Sequence, residues 1–501
     1  MGSGVEKTLA GVSSQAKAAI LALLSLAYLI TRFGCLGREL GYEEGFFLAP
    51  GISLFHSGHY RTYWGELYPD FTPFQKPPLT SLLLGLFSLL SFDPVAGARL
   101  APFLAGWAVC VAPFILTGSW VPSLLVLASP FLYGASSHMQ TDPIGVVLGY
   151  TILCVGVTKK TQGGPRGDWA LASGLVILWL TKFESAMIAT ACLAALIPLI
   201  PRAERAKWIR VTAGASAAGI VLLCGVSALL ATTTGRSPVS AWADIFGTTT
   251  RIVSETMGRH MQASDGGMSS RVALFQYALN FRIPQLLLCC WLPCALGLLL
   301  VPRARREWRF FATMAICFAI PLAAIFGVAY PGDGYPRYFL IVVPPSLLAL
   351  GGILGHLSPR ARLGATAAIL AFALVSMAPD TLHAMQSAGS SNAFRGEHGT
   401  RLAAEIALGS TKPGDLILAP EQELPYLAGR RVLNIESFEP YPAMHQTALG
   451  YAPQLRAAIV RQDSPPSPIL DRLLSDFAAR GITRTSADSF AVYVLSRTGA
   501  P

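Results

Sequence analysis

The chain has 501 residues, of which 52% are apolar and only 13% charged, with a mean hydropathy of +0.50; a soluble chain of this length would carry far more charge, so the composition is that of a polytopic membrane protein. Its net charge of +10 does not signal nucleic-acid binding, because the basic residues fall mostly in short loops between apolar runs. The nine cysteines lie in or beside those runs, which excludes a disulfide framework and a cysteine metal cluster.

The first apolar run, 17–35, is followed by no small-residue cleavage site and reads as an uncleaved span. A long loop, 36–98, comes next. It carries Tyr42-Glu43-Glu44-Gly45-Phe46, then a polar, aromatic stretch, then Lys76-Pro77-Pro78-Leu79. Residues 77–92 are apolar but begin Pro-Pro and number about 16, below the ~17–25 needed to cross. They are expected to dip into or lie along the outer leaflet. Spans are then expected at about 99–118, 121–138, 143–158, 168–182, 185–200, 209–231, 283–301, 310–328, 338–357 and 362–379, eleven in all.

Four short loops are basic: Lys159-Lys160 with Arg166, Arg202 to Arg210, Arg303 to Arg309, and Arg360 to Arg362. The positive-inside rule places them, with Lys7 and Lys17, in the cytosol. The loop 36–98, the turn His138 to Asp142, the loop 232–282, the loop Tyr330 to Arg337 and the C-terminal part then face outward. The pair of spans around Thr181-Lys182-Phe183-Glu184 has only about 32 apolar residues where two full crossings need roughly 40. That turn is therefore expected below the outer surface, where charge marks function by default. Lys182 pairing with Glu184, or snorkelling outward, are the structural alternatives.

After Pro379 the composition becomes mixed and charged to Pro501. Strands are expected at Asp415-Leu-Ile-Leu-Ala-Pro, at Arg431-Val-Leu-Asn-Ile and near Phe490 to Leu495, with helices at about 399–409 and 469–480. The expected fold class is an α-helical polytopic membrane protein, residues 1–379, with an extracytoplasmic α/β domain, residues 380–501.

Charges at the outer ends of the spans are Glu43, Glu44, Lys76, Asp142, Lys182, Glu184 and Arg337. Carboxylates take a proton from a hydroxyl, and cations hold a phosphate. Glu44 also stands where it would favour a helix start, Asp142 before Pro143 where it would cap the next span, and Arg337 beside Tyr335 and Tyr338 as an interfacial anchor. Arg259, His260 and Tyr335 are further candidates for substrate contact. No residues have the spacing of a resident metal site, and the expectation is that no cofactor is required; Glu43, Asp142 and a phosphate sharing a divalent ion is the variant compatible with the donor set.

The order Glu43-Glu44, Gly58, Lys76-Pro77-Pro78-Leu79, Thr141-Asp142, Leu180-Thr181-Lys182 and Pro336-Arg337-Tyr338 resembles the protein mannosyltransferase-type GT-C glycosyltransferases. It is most similar to the branch that includes the bacterial aminoarabinose transferase acting on lipid A. Tyr426-Leu-Ala-Gly-Arg-Arg is a fainter echo in the outer domain. The resemblance implies that the acidic pair falls on Glu43 and Glu44, the family's second-loop aspartate on Asp142, and the donor-phosphate cations on Lys76, Lys182 and Arg337. The family usually has aspartate where Glu43 stands, so either glutamate could be the base.

What this resemblance implies is an inverting transfer of a monosaccharide from a polyprenyl-phosphate carrier to an envelope glycan, lipid or protein, at the outer face of a bacterial inner membrane. A transporter or flippase of a lipid-linked sugar, and a catalytically inactive binding member of the same fold, are the alternatives. A transporter would show charges near mid-bilayer and paired broken helices; the charges here gather at one face instead.

Overall fold

The computed structural model describes residues 13–38, 40, 44–61, 73–161, 167–247, 275–276, 278–328, 336–386, 399–420, 426–427, 430–434, 442–462 and 467–495; Glu43, Arg259, His260 and Tyr335 lie outside them. All eleven apolar runs are helical. The first forms α1 (Ser14–Arg32), where the Ser13 hydroxyl caps the helix by accepting the Ala16 N–H at 3.1 Å. The loop 36–98 holds α2 (Glu44–Ser57) and α3 (Leu79–Ser88). The ten residues of α3 extend about 15 Å at 1.5 Å per residue, half of the ~30 Å hydrocarbon core. It packs on α2 where Gly51 meets Gly85, and a side chain at either would strike the opposite backbone.

The run 121–138 is broken into α5 (Val121–Ala128) and α6 (Pro130–Ala135), after α4 (Leu100–Thr117). Pro130 causes the break, having no N–H and clashing with the carbonyl a turn earlier. Side chains take up the carbonyls this leaves at the end of α5. Arg32 Nη2 donates to Val126 O at 2.9 Å and to Leu127 O at 3.3 Å, and Thr381 Oγ1 donates to Ala128 O at 2.6 Å. Arg32 is wholly buried, with its guanidinium 4.8 Å from the centre of the Tyr133 ring.

Next come α7 (Val147–Thr161), entered through a wide π-type turn at Asp142–Val146, then α8 (Gly167–Thr181), α9 (Phe183–Ala195) and α10 (Arg202–Thr232). The remaining membrane helices are α11 (Ile283–Leu300), α12 (Trp308–Val328) and α13 (Val343–His356), the last entered through a 3₁₀ turn at Pro336–Val342. They end with α14 (Pro359–Ser376) and α15 (Ala378–Gln386), bent by 45°. Seven described helices are long and apolar enough to cross a membrane alone, and the bent pair is an eighth. The other three expected spans are the broken α5–α6 and the short α8 and α9.

Glycines also set a close contact between α7 and α8. Gly145, Gly149 and Gly156 lie against α8, and Gly174 returns the approach toward Leu153, so two backbones meet where larger residues would hold them apart. At the far end of this pair Lys160 Nζ lies 3.0 Å from Asp168 and 2.9 Å from Glu204, and Lys207 also reaches Asp168, at 2.6 Å. These pairs join α7, α8 and α10 on the face opposite Asp142.

The C-terminal strands are β1 (Leu416–Ala419), β2 (Arg431–Asn434), β3 (Leu455–Arg461), β4 (Ile482–Ala487) and β5 (Phe490–Leu495), in the order β2-β1-β3-β5-β4. β1 pairs in parallel with β2 and β3; β5 is antiparallel to β3 and β4. Period-two alternation gives each face its helix. Leu416 and Leu418 pack with α18 (Pro468–Ala478), while Ile417 and Ala419 pack with α16 (Thr400–Ser410); α17 (Pro442–Gly450) intervenes in sequence. The second face also receives Phe46 and Ala49 of α2, and Arg401 bridges to Asp93 at 3.0 Å. The sheet therefore stands on the helices of the loop 36–98. β3, β4 and α17 were not expected from the sequence.

Candidate active site

Asp142, Lys182 and Arg337 come together from three separate turns. Lys182 is a single extended residue between α8 and α9, and its Nζ lies 2.7 Å from Asp142 Oδ1. Gly145 permits this, because a side chain there would collide with Thr181, the neighbour of Lys182. Arg337 Nε lies 3.8 Å from Asp142 Oδ2, and its Nη1 donates to Gln140 Oε1. The Tyr338 ring faces both cations, with Lys182 Nζ 4.6 Å and the Arg337 guanidinium 5.5 Å from its centre. Among the described residues one carboxylate thus stands against two cations in a mostly buried cluster, a donor set suited to a phosphate.

The helices on either side of Lys182 are short. α8 has 15 residues and α9 has 13, or about 20 Å each at 1.5 Å per residue, short of a ~30 Å core. Lys182 neither pairs with Glu184 nor snorkels away: its direct carboxylate partner is Asp142, and Glu184 acts on it only at longer range. Nor is Asp142 spent on capping, since its carboxylate oxygens meet Lys182, Arg337 and the Thr141 hydroxyl.

Lys76 is half-buried at the entrance to α3, and that helix touches both the Asp142 turn and α8. Two residues before it, Phe74 shares an apolar cluster with Phe183, the neighbour of Lys182. Tyr60, 5.5 Å from Phe74 between ring centres, fastens the same loop to α10 through its backbone N–H, which donates to Thr233 Oγ1 at 3.0 Å. The loop 36–98 is thus drawn toward the Lys182 turn.

Glu44 stands apart from these cations. Only 2% exposed, its carboxylate receives both terminal nitrogens of Arg99 at 3.2 and 3.1 Å, and the Met139 N–H at 2.9 Å. His138 Nδ1 is 3.2 Å away, and because a carboxylate only accepts, that nitrogen carries the proton. Burial alone would raise the carboxyl pKa, but the Arg99 guanidinium and His138 outweigh it and hold it well below the ordinary carboxylate range. Arg99 also donates through Nε to Arg38 O at 2.8 Å and to Ser137 O. This brace fixes Ser137–Met139, immediately before Gln140 and Asp142.

Gln140, Tyr338, Arg99 and His138 were not singled out by sequence reasoning. Arg99 carried a readable signal, an arginine at the head of an apolar run, which needs a buried partner. Gln140 and Tyr338 carried none beyond adjacency to Asp142 and Arg337. Among the described residues no three His, Cys, Asp or Glu side chains gather as metal ligands.

No family model and no curated protein sequence matches the chain. Among solved structures it is similar to ArnT from Cupriavidus metallidurans bound to undecaprenyl phosphate, with a TM-score of 0.61 and 13% identity, covering 98% of this chain and 100% of that one. The apo state of the same protein gives 0.53 and 15%, covering 97% and 98%. The Archaeoglobus fulgidus oligosaccharyltransferase complex with Zn and sulfate gives 0.52 and 14%, covering 88% and 68%. What the chain shares with them is the fold, the GT-C type that its motifs resemble.

Proposed function

We propose that this GT-C-fold chain is an inverting glycosyltransferase that moves a monosaccharide from a polyprenyl-phosphate carrier to an envelope acceptor, at the face of the membrane bearing Asp142. The observation carrying this reading is the Asp142–Lys182–Arg337 cluster, an anion-seeking group recessed at the ends of membrane helices. A solved protein of this fold, ArnT, binds undecaprenyl phosphate. In the reaction the acceptor oxygen bonds to the anomeric carbon as the carbon–oxygen bond to phosphate breaks. The electron pair leaves with the lipid phosphate, and the acceptor proton passes to a carboxylate.

Glu43 is assigned that proton. Its neighbour Glu44, ionised and enclosed by donors, is a poor base and serves to position the Asp142 turn. Lys76, Lys182 and Arg337 hold the leaving phosphate, with Lys182 and Arg337 exchanging part of their interaction with Asp142 for the ligand. Asp142 orients the acceptor and keeps the cations apart when the donor is absent. Glu184, Arg259, His260 and Tyr335 are assigned to outer substrate contacts. Residues 1–379 form the catalytic unit and 380–501 an extracytoplasmic domain, with the N-terminus in the cytosol.

The test is transfer by purified protein in nanodiscs, offered polyprenyl-phosphate monosaccharides and envelope extracts. Glu43→Gln and Lys76→Ala are each expected to lower the rate on the order of 10²–10³-fold while the fold persists. Donor left unconsumed by wild type, or both variants matching it, would overturn the reading.

A further inference from the structure

The face opposite the candidate active site holds a cavity of about 280 Å³ between the turn joining α4 to α5 and the turn joining α13 to α14. Thr117, Ser119, Trp120, Gly355, Arg362 and Leu363 are among the residues that line it. None of them belongs to the chemistry proposed above. Hydroxyl groups and a guanidinium line it, with the residues that open α5 and α14, Val121 and Pro359, also in its wall. Both helices direct the positive ends of their dipoles here. The wall also runs onto apolar surface: Leu363 is 73% exposed, and Leu374, three turns further along the same face of α14, is exposed too. Trp120, also in the wall, is partly exposed, as aromatic side chains at a membrane boundary are.

Arg362 is held ready rather than consumed. Its Nη2 donates to Gly355 O at 3.1 Å and Leu357 O at 3.4 Å, capping the end of α13. Among the described residues it has no carboxylate within ion-pair distance, so its charge is neutralised only by carbonyl dipoles. Arg360 beside it is exposed, and the loop Arg303 to Arg309 lies on the same face.

We infer that this cavity binds the phosphate headgroup of an anionic phospholipid, its acyl chains lying along the exposed face of α14. Charge complementarity selects an anion, and the continuity of the polar recess with apolar surface selects a lipid over a free ion. This site is independent of the glycosyl-transfer reading and would persist if that reading failed.

The test is native mass spectrometry of the full-length protein released from nanodiscs of phosphatidylglycerol or phosphatidylcholine. Wild type is expected to retain at least one phosphatidylglycerol through delipidation, at least tenfold more than phosphatidylcholine. Ser119→Glu, which puts a negative charge in the recess and leaves the carbonyl contacts of Arg362 intact, is expected to abolish that preference with the thermal midpoint unchanged. Arg362→Ala should abolish it also, and Arg362→Lys should restore part of it. Equal retention of the two lipids by wild type, or an undiminished preference in Ser119→Glu, would overturn the proposal. Displacement of the lipid by millimolar inorganic phosphate would likewise overturn it, by showing the site to be one for the free anion.

Discussion

Glu43 and Glu44 are adjacent in sequence, and the second is removed from acid–base work by its surroundings. A carboxyl whose folded pKa is depressed stabilises the fold above the unfolded value of about 4.3, and that contribution is lost as pH falls toward the folded value. Glu44→Gln should therefore destabilise the protein at pH 7, by roughly 3–5 kcal/mol for breaking a buried pair. The gap from wild type should narrow below about pH 4, as Glu44 in the unfolded chain takes up a proton that the folded carboxyl still resists. Thermal unfolding in detergent across this range checks it, and a gap that widens on acidification would refute the brace. The sequence made the acidic pair conspicuous but not its division of labour, because the partners Arg99 and His138 lie 55 and 94 positions away and only the fold brings them to Glu44.

At the level of elements, the candidate site depends on how closely the turn before α7 meets the end of α8. Gly145→Ala is expected to push Thr181 away and carry Lys182 out of reach of Asp142, lowering transfer at least tenfold with a modest loss of thermal stability. Removing the obstruction with Thr181→Gly in the same chain should recover part of the activity; no recovery would show that Gly145 acts otherwise. The shortness of the two helices around Lys182 was legible beforehand, because the apolar residues there can simply be counted. The wide turn at Asp142–Val146 and the break at Pro130 were not. Both keep an apolar composition across an interruption, and composition alone reads straight through it. Strand β4 escaped for the opposite reason: Ile482-Thr-Arg-Thr-Ser-Ala has an exposed polar middle, so no apolar period announces it.

For the whole molecule, membrane class, helix positions and the gathering of charge at one face followed from hydropathy and from where lysine and arginine fall. The seating of the C-terminal sheet on α2 did not, since Phe46 and Ala49 look like any other apolar residues of a juxtamembrane helix. The gap between α5 and α6 also binds the order in which the protein is made. Its Val126 and Leu127 carbonyls find Arg32, emerged long before, but the Ala128 carbonyl waits for Thr381, 253 residues later. Ribosome-bound chains stalled short of Thr381 should thus be cut readily by protease beside Ser129-Pro130, and chains stalled well beyond it should resist; equal cutting of both would disprove this. Biogenesis therefore ends with a latch: the last membrane helix to leave the translocon closes a seam opened by one of the first.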